Sequence, residues 1–453
     1  MSILTAERAI IRVAAKPKWS LSARLVLAVL AAQALATLAI GFAAQPLSAW
    51  AHLGTAITAT SRIAAMSGTF LSLLLLVLAS RLPWLEQQFG QDRLVWWHRK
   101  LAPYSLYLIL GHLVLVVVGY GLTTNVSVWQ EFWQLVFGTE WMLAALVAFV
   151  FMMAVGLTSW RRARSRMSYE TWWLLHLYSY LGVALAFLHQ VNSGQMFVDH
   201  PGLKLFWAAL YLETFAVIIA FRVYLPIATS LRHDLRVERV IRETPSTISV
   251  VIRGRDLAAL GARGGQFFGW HFLVPGEWWQ SHPYSLSATP RNNRMRITVK
   301  NLGDHSQWLA SVEPGTRVAV EGPYGTFVAD RALSNRIVLI AGGVGVTPVR
   351  ALLEELPRDA VVDLLWRASY ESELPLRGEI EALAADRDAR IHYLVGSRRF
   401  FPLDARQLSE LVPDLSAADV FLCGPAGLVE GAIAALDELG VPKHRIHDET
   451  FDF

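Results

Sequence analysis

The sequence predicts an all-α bundle of six membrane helices, then an antiparallel β-barrel, then a doubly wound α/β domain. Three observations predict this. Six apolar runs approach the roughly 20 residues that a bilayer crossing needs. The composition changes to that of a soluble protein near residue 230. Beyond that point β-rich runs come first, and alternating strands and helices follow. The length of 453 residues suits two to four domains. Only 17% of residues are charged and 54% are hydrophobic. Soluble domains carry about 25% charge, so a membrane portion dilutes it.

The apolar runs cover residues 21–44, 63–80, 98–121, 140–159, 170–192 and 202–226. The first follows Lys16, Lys18 and Arg24. A signal peptide has an apolar core of about 7–15 residues. This run is longer and reads as an uncleaved span. The gaps set the orientation. Gap 81–100 holds Arg81, Arg93, Arg99 and Lys100, and gap 160–167 holds Arg161, Arg162, Arg164 and Arg166. The alternate gaps carry only Arg62, no basic residue at all, and Lys204. Positive charge stays inside. Both termini are therefore expected in the cytoplasm, and the chain is expected to be integral to a membrane.

Expected boundaries are 1–230 for the bundle, 231–332 for the barrel and 333–453 for the α/β domain. The middle region holds β-rich runs such as "TISVVIRG" and "MRITVKNL", broken by Gly and Pro. The last reads strand "RIVLIAG", helix "PVRALLEEL", strand "VVDLLW", helix "RGEIEALAAD", strand "RIHYLV", strand "DVFLCG", helix "GLVEGAIAALDEL". No internal repeat, low-complexity tract or EF-hand loop is present. The single cysteine, Cys423, excludes disulfides within the chain, thiolate zinc sites and iron–sulfur clusters. The net charge is +4, and the basic residues cluster at membrane edges, so no nucleic-acid partner is expected.

Four histidines lie in the bundle: His98 and His112 on the third span, His176 and His189 on the fifth. These spans run in the same direction, so His98 faces His176 and His112 faces His189. Fourteen residues of helix cover about 21 Å, most of the hydrocarbon core. One reading is four buried histidines bonded to neighbouring helices. Polar groups at that depth are costly and functional by default. Facing neutral imidazoles suit axial ligation of haem iron, one from each helix. Two couples would hold two haems stacked across the membrane. Fourteen residues return to within roughly 40° of the same face, but thirteen miss it by roughly 140°. The fifth helix is therefore expected to be kinked, overwound or steeply tilted between its histidines, where Gly182 lies.

"HPYSLS", 282–287, is expected to end a strand. It is either an ordinary strand end or a place where Tyr284 stacks on a flat ring and Ser285 bonds to it. In "GDHSQWL", 303–309, Ser306 stands at a helix start that suits a pyrophosphate. "IVLIAGGVGVTPVRALL", 337–353, runs a buried strand into Gly342, Gly343 and Gly345, then Pro348 near the first helical turn. Such a turn serves a nucleotide phosphate or is simply a tight βα turn. It lacks the third glycine of the usual dinucleotide fingerprint. "LCGPAG", 422–427, ends a strand at the same carboxyl edge, where ligands bind in open α/β sheets. Arg367 and Arg398 follow the second and third strands. Each is either a solvated arginine or a partner for a ribose 2′-phosphate.

Together these residues resemble the NADPH oxidases and ferric reductases over nearly the whole chain after the first helix. The resemblance rests on the two histidine pairs, "HPYSLS", "AGGVGVTP", "CGP" and the C-terminal aromatic. It implies a six-helix di-haem cytochrome joined to a FAD-binding barrel and an NADPH-binding domain. His98 with His176 would ligate the inner b-type haem, and His112 with His189 the outer. Tyr284 would stack on the flavin, with His282, Pro283, Ser285, Ser287 and Ser306 around it. Gly342, Gly343, Gly345, Thr347 and Pro348 would cradle NADPH, with Arg367, Ser397 and Arg398 toward the 2′-phosphate. Cys423, Gly424 and Pro425 would lie near the nicotinamide. Phe453 would cover the flavin face. Arg62 would stand beside the outer haem at the outer start of the second helix. Animal oxidases carry a further histidine one turn after the outer ligand, where this chain has Val116.

The expected function is transmembrane electron transfer from NADPH through FAD and the haems. The expected acceptor is O2, giving superoxide. A ferric chelate is the alternative, and a cytochrome subunit serving a partner protein comes third. Membrane lipid is the expected surrounding, with no obligatory protein partner. The Ala- and Arg-rich usage points to a bacterial cytoplasmic membrane.

Overall fold

The computed structural model describes residues 21–198 and 200–451. They form two compact units that part between Tyr224 and Leu225.

The first unit is helical. Its elements are α1 (Leu21–Ala43), α2 (Leu53–Ala79), α3 (Pro83–Phe89), α4 (Gln91–Thr124), α5 (Val128–Gly138), α6 (Met142–Ser159), α7 (Arg161–Arg164), α8 (Tyr169–Ser193), α9 (Gln195–Val198) and α10 (Pro201–Ile218). A π-helical segment, Ile219–Tyr224, leads into α11 (Leu225–His233) of the second unit. Among the described residues, six helices are long and apolar enough to cross a membrane.

The second span begins at Leu53, ten residues before the apolar run expected at 63. Its first turns contain threonines, whose hydroxyls donate back along the helix. Thr55 bonds the His52 carbonyl at 3.0 Å, Thr58 that of Gly54 at 2.9 Å and Thr60 that of Ala56 at 2.9 Å. Polar residues thus continue a helix that hydropathy alone cuts short. Arg62 consequently stands well inside α2, not at its start. The third span likewise begins early, at Gln91.

Close approach binds α2 to α4. A Cβ on Gly119 would lie 2.9 Å from the Gly54 carbonyl oxygen, so only glycine permits this spacing. The Ser72 and Ser105 hydroxyls meet between the two helices at 2.7 Å. α8 is α-helical throughout, capped by the Ser168 hydroxyl accepting from the Thr171 amide.

The second unit holds two sheets. β1 (Arg236–Thr244), β2 (Thr247–Arg253), β3 (Phe267–Phe272), β4 (His282–Arg291), β5 (Arg294–Lys300) and β6 (Val318–Tyr324) form an antiparallel sheet in the order β1-β2-β5-β4-β3-β6. An antiparallel bridge joins Arg236 to Arg317, so the chain just before the last strand in this order meets the first. "HPYSLS" opens β4; it does not end a strand. Pro283 is the second residue, where the missing N–H is tolerated. Helix α12 (Asp304–Leu309) follows β5.

The parallel sheet contains β7 (Arg336–Gly342), β8 (Val361–Ala368), β9 (Arg390–Val395), β10 (Asp419–Pro425) and β11 (Ile446–Phe451), in the order β11-β10-β7-β8-β9. Helices α13 (Val346–Glu355), α14 (Arg377–Ala385), α15 (Ala405–Leu411) and α16 (Ala426–Glu438) pack on it. Along β7, Ile337, Leu339 and Ala341 join one core with α13 and α14, while Val338 and Ile340 join another with α15 and α16. This strand period of two, buried on both faces, makes the sheet doubly wound. β11 is a fifth strand beyond the four expected. Its sequence "IHDETF" is polar because it is an edge strand that only partly buries its side chains.

Candidate functional site

In the helical unit the four histidines meet in the expected couples. The His98 and His176 rings lie 6.1 Å apart. His112 and His189 line one cavity of about 440 Å³. Their outer nitrogens are tied down. His98 Nδ1–H donates to the Leu75 carbonyl at 3.1 Å, and His112 Nδ1–H to the Ser61 carbonyl at 3.0 Å. A carbonyl only accepts, so each Nδ1 carries the proton and each Nε2 keeps a lone pair. His176 Nδ1 is 3.3 Å from the Ser159 hydroxyl. His189 Nδ1 is buried without a partner among the described residues. Lone pairs aimed away from their anchoring bonds are what a metal-bound imidazole requires, so these residues fit haem iron.

Arg62 lines the same cavity and donates to Tyr120 at 3.3 Å, to Gln45 at 3.5 Å and to Gln195. Val116 is part of the wall. So is Glu131, which sequence reasoning missed. This carboxylate is buried and accepts from the Thr124 hydroxyl at 2.9 Å. The signal was there: Glu131 is the lone acid of "VWQEFWQLVFG".

In the second unit, "HPYSLS" gathers aromatic rings. His282 stacks on His305 with centroids 3.3 Å apart, and both lie near Tyr284, at 6.2 and 6.3 Å. His305 Nδ1–H donates to Glu277 at 3.1 Å. The Nε2 atoms of both histidines and the Ser285 hydroxyl are buried without partners among the described residues. Orphaned buried polar atoms point to an absent ligand, and those on β4 and α12 fit a flavin and its phosphates. Burial pushes the His282 imidazole down to about 3, helped by His305 and His271. Burial also raises the Tyr284 phenol. His305 was overlooked because only Ser306 of its segment was weighed. Ser306 is spent locally, accepting from the Leu302 and Gly303 amides at 2.9 and 3.0 Å. Ser287 is also spent, accepting from Arg296 at 3.0 Å and Thr298 at 2.8 Å. Pro283 is exposed.

At the carboxyl edge of the parallel sheet, the glycines divide by role. A Cβ on Gly345 would lie 2.3 Å from the Cys423 carbonyl oxygen, and one on Gly424 3.2 Å from the Gly342 Cα. These three allow β7 and β10 to close up. Gly343 has φ +56° and open space around it, leaving its backbone accessible to a phosphate. Thr347 and Pro348 are buried in the first turn of α13, and Pro425 closes β10. Cys423 is fully buried, and burial raises its thiol well above the ordinary value, with Glu449 and Asp448 adding to the rise. Arg367 is buried and donates to the Ala368 and Leu394 carbonyls. Ser397 and Arg398 are exposed, and an Arg398 guanidinium nitrogen lies 3.9 Å from where a Gly427 Cβ would be, near the start of α16. Phe453 lies outside the described residues.

A membrane helix bundle followed by a flavin- and nicotinamide-type module defines a class, the membrane oxidoreductases. Residues 63–187 match the ferric-reductase-like transmembrane component, 246–328 an FAD-binding domain and 339–433 an oxidoreductase NAD-binding domain. Together these matches give the chain the domain architecture of the NADPH oxidases and ferric reductases. It is 29% identical to an NADPH oxidoreductase of Mycobacterium tuberculosis, over 48% of this chain and 59% of that protein. It is 31% identical to ferredoxin–NADP reductase B of Sorangium cellulosum, over 37% of this chain and 77% of that protein. The FAD/NAD-binding domain of a Vibrio cholerae nitric oxide dioxygenase aligns at 26% identity and a TM-score of 0.41, over 48% of this chain and 98% of that structure. The chain spans about three fifths of the length of the first curated relatives it matches.

Proposed function

We propose that the chain carries electrons from cytosolic NADPH, by way of FAD and two b-type haems, to oxygen on the far side of a membrane, giving superoxide. The observation that carries this reading is the pair of histidine couples on α4 and α8, followed in the same chain by FAD- and NAD-binding domains. His98 and His176 would hold one haem, and His112 and His189 the other. Bound FAD supplies the exchange between a two-electron hydride donor and one-electron carriers, and bound haems supply those carriers across the bilayer.

The chain's own residues do the positioning. Leu75 and Ser61 carbonyls fix the tautomers of His98 and His112. The antiparallel sheet, read as a barrel closed near Arg236 and Arg317, presents Tyr284 and His282 to the flavin. Gly343 offers backbone to the nucleotide phosphates, and Arg398 is free to meet a 2′-phosphate. Cys423 is fully buried and would sit behind the nicotinamide rather than expose a thiolate to it. The proposed domains are 1–230, 231–332 and 333–453, with the basic loops and both termini in the cytoplasm.

Among the described residues the one cluster of side chains that could grip a metal ion, Glu277, His282 and His305, lies in the second unit and not in the helical bundle, which favours a small neutral acceptor over an iron chelate. A ferric chelate is the second reading, favoured by the ferric-reductase-like match. The test is NADPH oxidation by purified full-length protein. The expected result is cytochrome c reduction that superoxide dismutase abolishes. Dismutase-insensitive reduction together with fast ferric chelate reduction assigns the acceptor to iron.

A further inference from the structure

The short helix α5 combines three properties that do not suit a helix in water. The first is its length. Eleven residues span only about 16 Å, too short to cross a bilayer core of about 30 Å. The second is an inverted pattern. Its carboxylate, Glu131, is buried, and Phe132 and Leu135 join it in lining the cavity that holds His112. The tryptophans point outward. Trp129, Trp133 and Phe137 recur every fourth residue, so they form one stripe, with exposures of 71%, 37% and 74%. Trp141 continues the spacing at 45%. The rings hold one another: Trp129 meets Trp133 at 5.5 Å, and Trp133 stacks on Phe137 at 5.4 Å.

The third property is the absence of positive charge. No lysine or arginine lies between Gly121 and Thr139. At the opposite end of the bundle three tryptophans have a cation over the ring: Lys100 over Trp96 at 5.7 Å, Arg162 over Trp160 at 5.8 Å and Arg164 over Trp172 at 5.0 Å. The flanking spans also carry exposed apolar side chains at their near ends, Leu122 at the end of α4 and Leu143 at the start of α6. Tryptophan and tyrosine concentrate where bilayer meets water.

We propose that α5 is an interfacial helix, lying along the headgroup–acyl boundary of the leaflet at the Arg62 end of the bundle, with Trp129, Trp133 and Phe137 against phospholipid. Its other face forms a wall of the His112 cavity. The lipid surface thereby fixes the depth of that wall. The proposal rests on the six spanning helices and is independent of the acceptor's identity.

The test uses full-length protein in phosphatidylcholine–phosphatidylglycerol vesicles. Trp129→Cys and Phe137→Cys each carry a nitroxide label. The native Cys423 is fully buried, so the unsubstituted chain serves as the labelling blank. Gln134→Cys, an exposed polar position at the same level, keeps the test open if replacing an aromatic prevents folding. Power saturation compares collision with oxygen and with a water-soluble nickel complex. A label on the exposed Glu371→Cys gives the aqueous reference. The expected result is severalfold more oxygen than nickel accessibility at all three α5 positions. Nickel accessibility equal to the aqueous reference overturns the proposal. So does protection from both reagents, which would mean that protein covers the stripe.

Discussion

In the helical unit, four histidines come from only two helices, thirteen or fourteen residues apart on each. In the second unit, the groups around His282 come from three places: His271 on β3, Glu277 in the following loop and His305 in α12. The polar atoms differ in the same way. Three of the four membrane histidines have Nδ1 anchored within the bundle. In the second unit, the Nε2 atoms of His282 and His305 and the Ser285 hydroxyl are left without partners among the described residues. A helix carries its geometry in its own sequence spacing. A site assembled from strand, loop and short helix becomes visible only in the tertiary fold. The first kind of site is therefore pre-set before its cofactor arrives, and the second is completed by its ligand.

The largest effect that would sharpen this contrast lies at the nucleotide edge. Gly345→Val places a side chain against the Cys423 carbonyl and should destabilise the second unit by about 3 kcal/mol, the upper range for overpacking. Gly343→Ala has open space and only the positive φ to oppose it, so about 1–2 kcal/mol is expected. Urea unfolding followed by flavin fluorescence separates the two. Equal losses would mean that close strand packing does not govern this turn.

The arginines come next. Arg398→Ala should lower the NADPH-to-NADH ratio of kcat/KM by roughly 10- to 150-fold, the worth of one good arginine–phosphate contact of about 1.5–3 kcal/mol. Arg367→Ala should leave that ratio nearly unchanged and instead cost about 1–3 kcal/mol of stability, because two carbonyls lose their donor. A ratio that moves with Arg367 and not with Arg398 would reverse these roles.

The last effect is on pH dependence. His282 is held at about 3, mainly by burial, against an unfolded value of 6.5. Between these values the unfolded chain binds more protons than the folded one. The stability of flavin-free protein is therefore full above pH 6.5 and falls as acid approaches pH 3. His282→Asn should flatten the fall in urea midpoint between pH 6.5 and 4. An unchanged slope would assign the acid sensitivity to other groups.

Sequence spacing gave the six spans, the histidine couples and most of the parallel sheet, because long periodic segments dominate their own conformation. What it missed has local physical reasons. Threonine hydroxyls that bond back along α2 hid ten residues of helix and misplaced Arg62. The polar edge strand β11 lacks the apolar run of its buried neighbours. Arg367 reads as a surface residue until the fold brings the Leu394 carbonyl to it. Glu131 stands among aromatics whose outward direction no motif marks. The glycines of "AGGVGVTP" look alike in sequence, yet only Gly343 is open.

The central claim is that two facing histidine couples hold two haems in one chain. Its most direct test is a pyridine haemochrome assay on purified full-length protein, unsubstituted and as His112→Ala. The account predicts two haems per unsubstituted chain and one per His112→Ala chain, with the flavin of the variant still reduced by NADPH. Two haems retained in His112→Ala, or one haem in the unsubstituted chain, would contradict it.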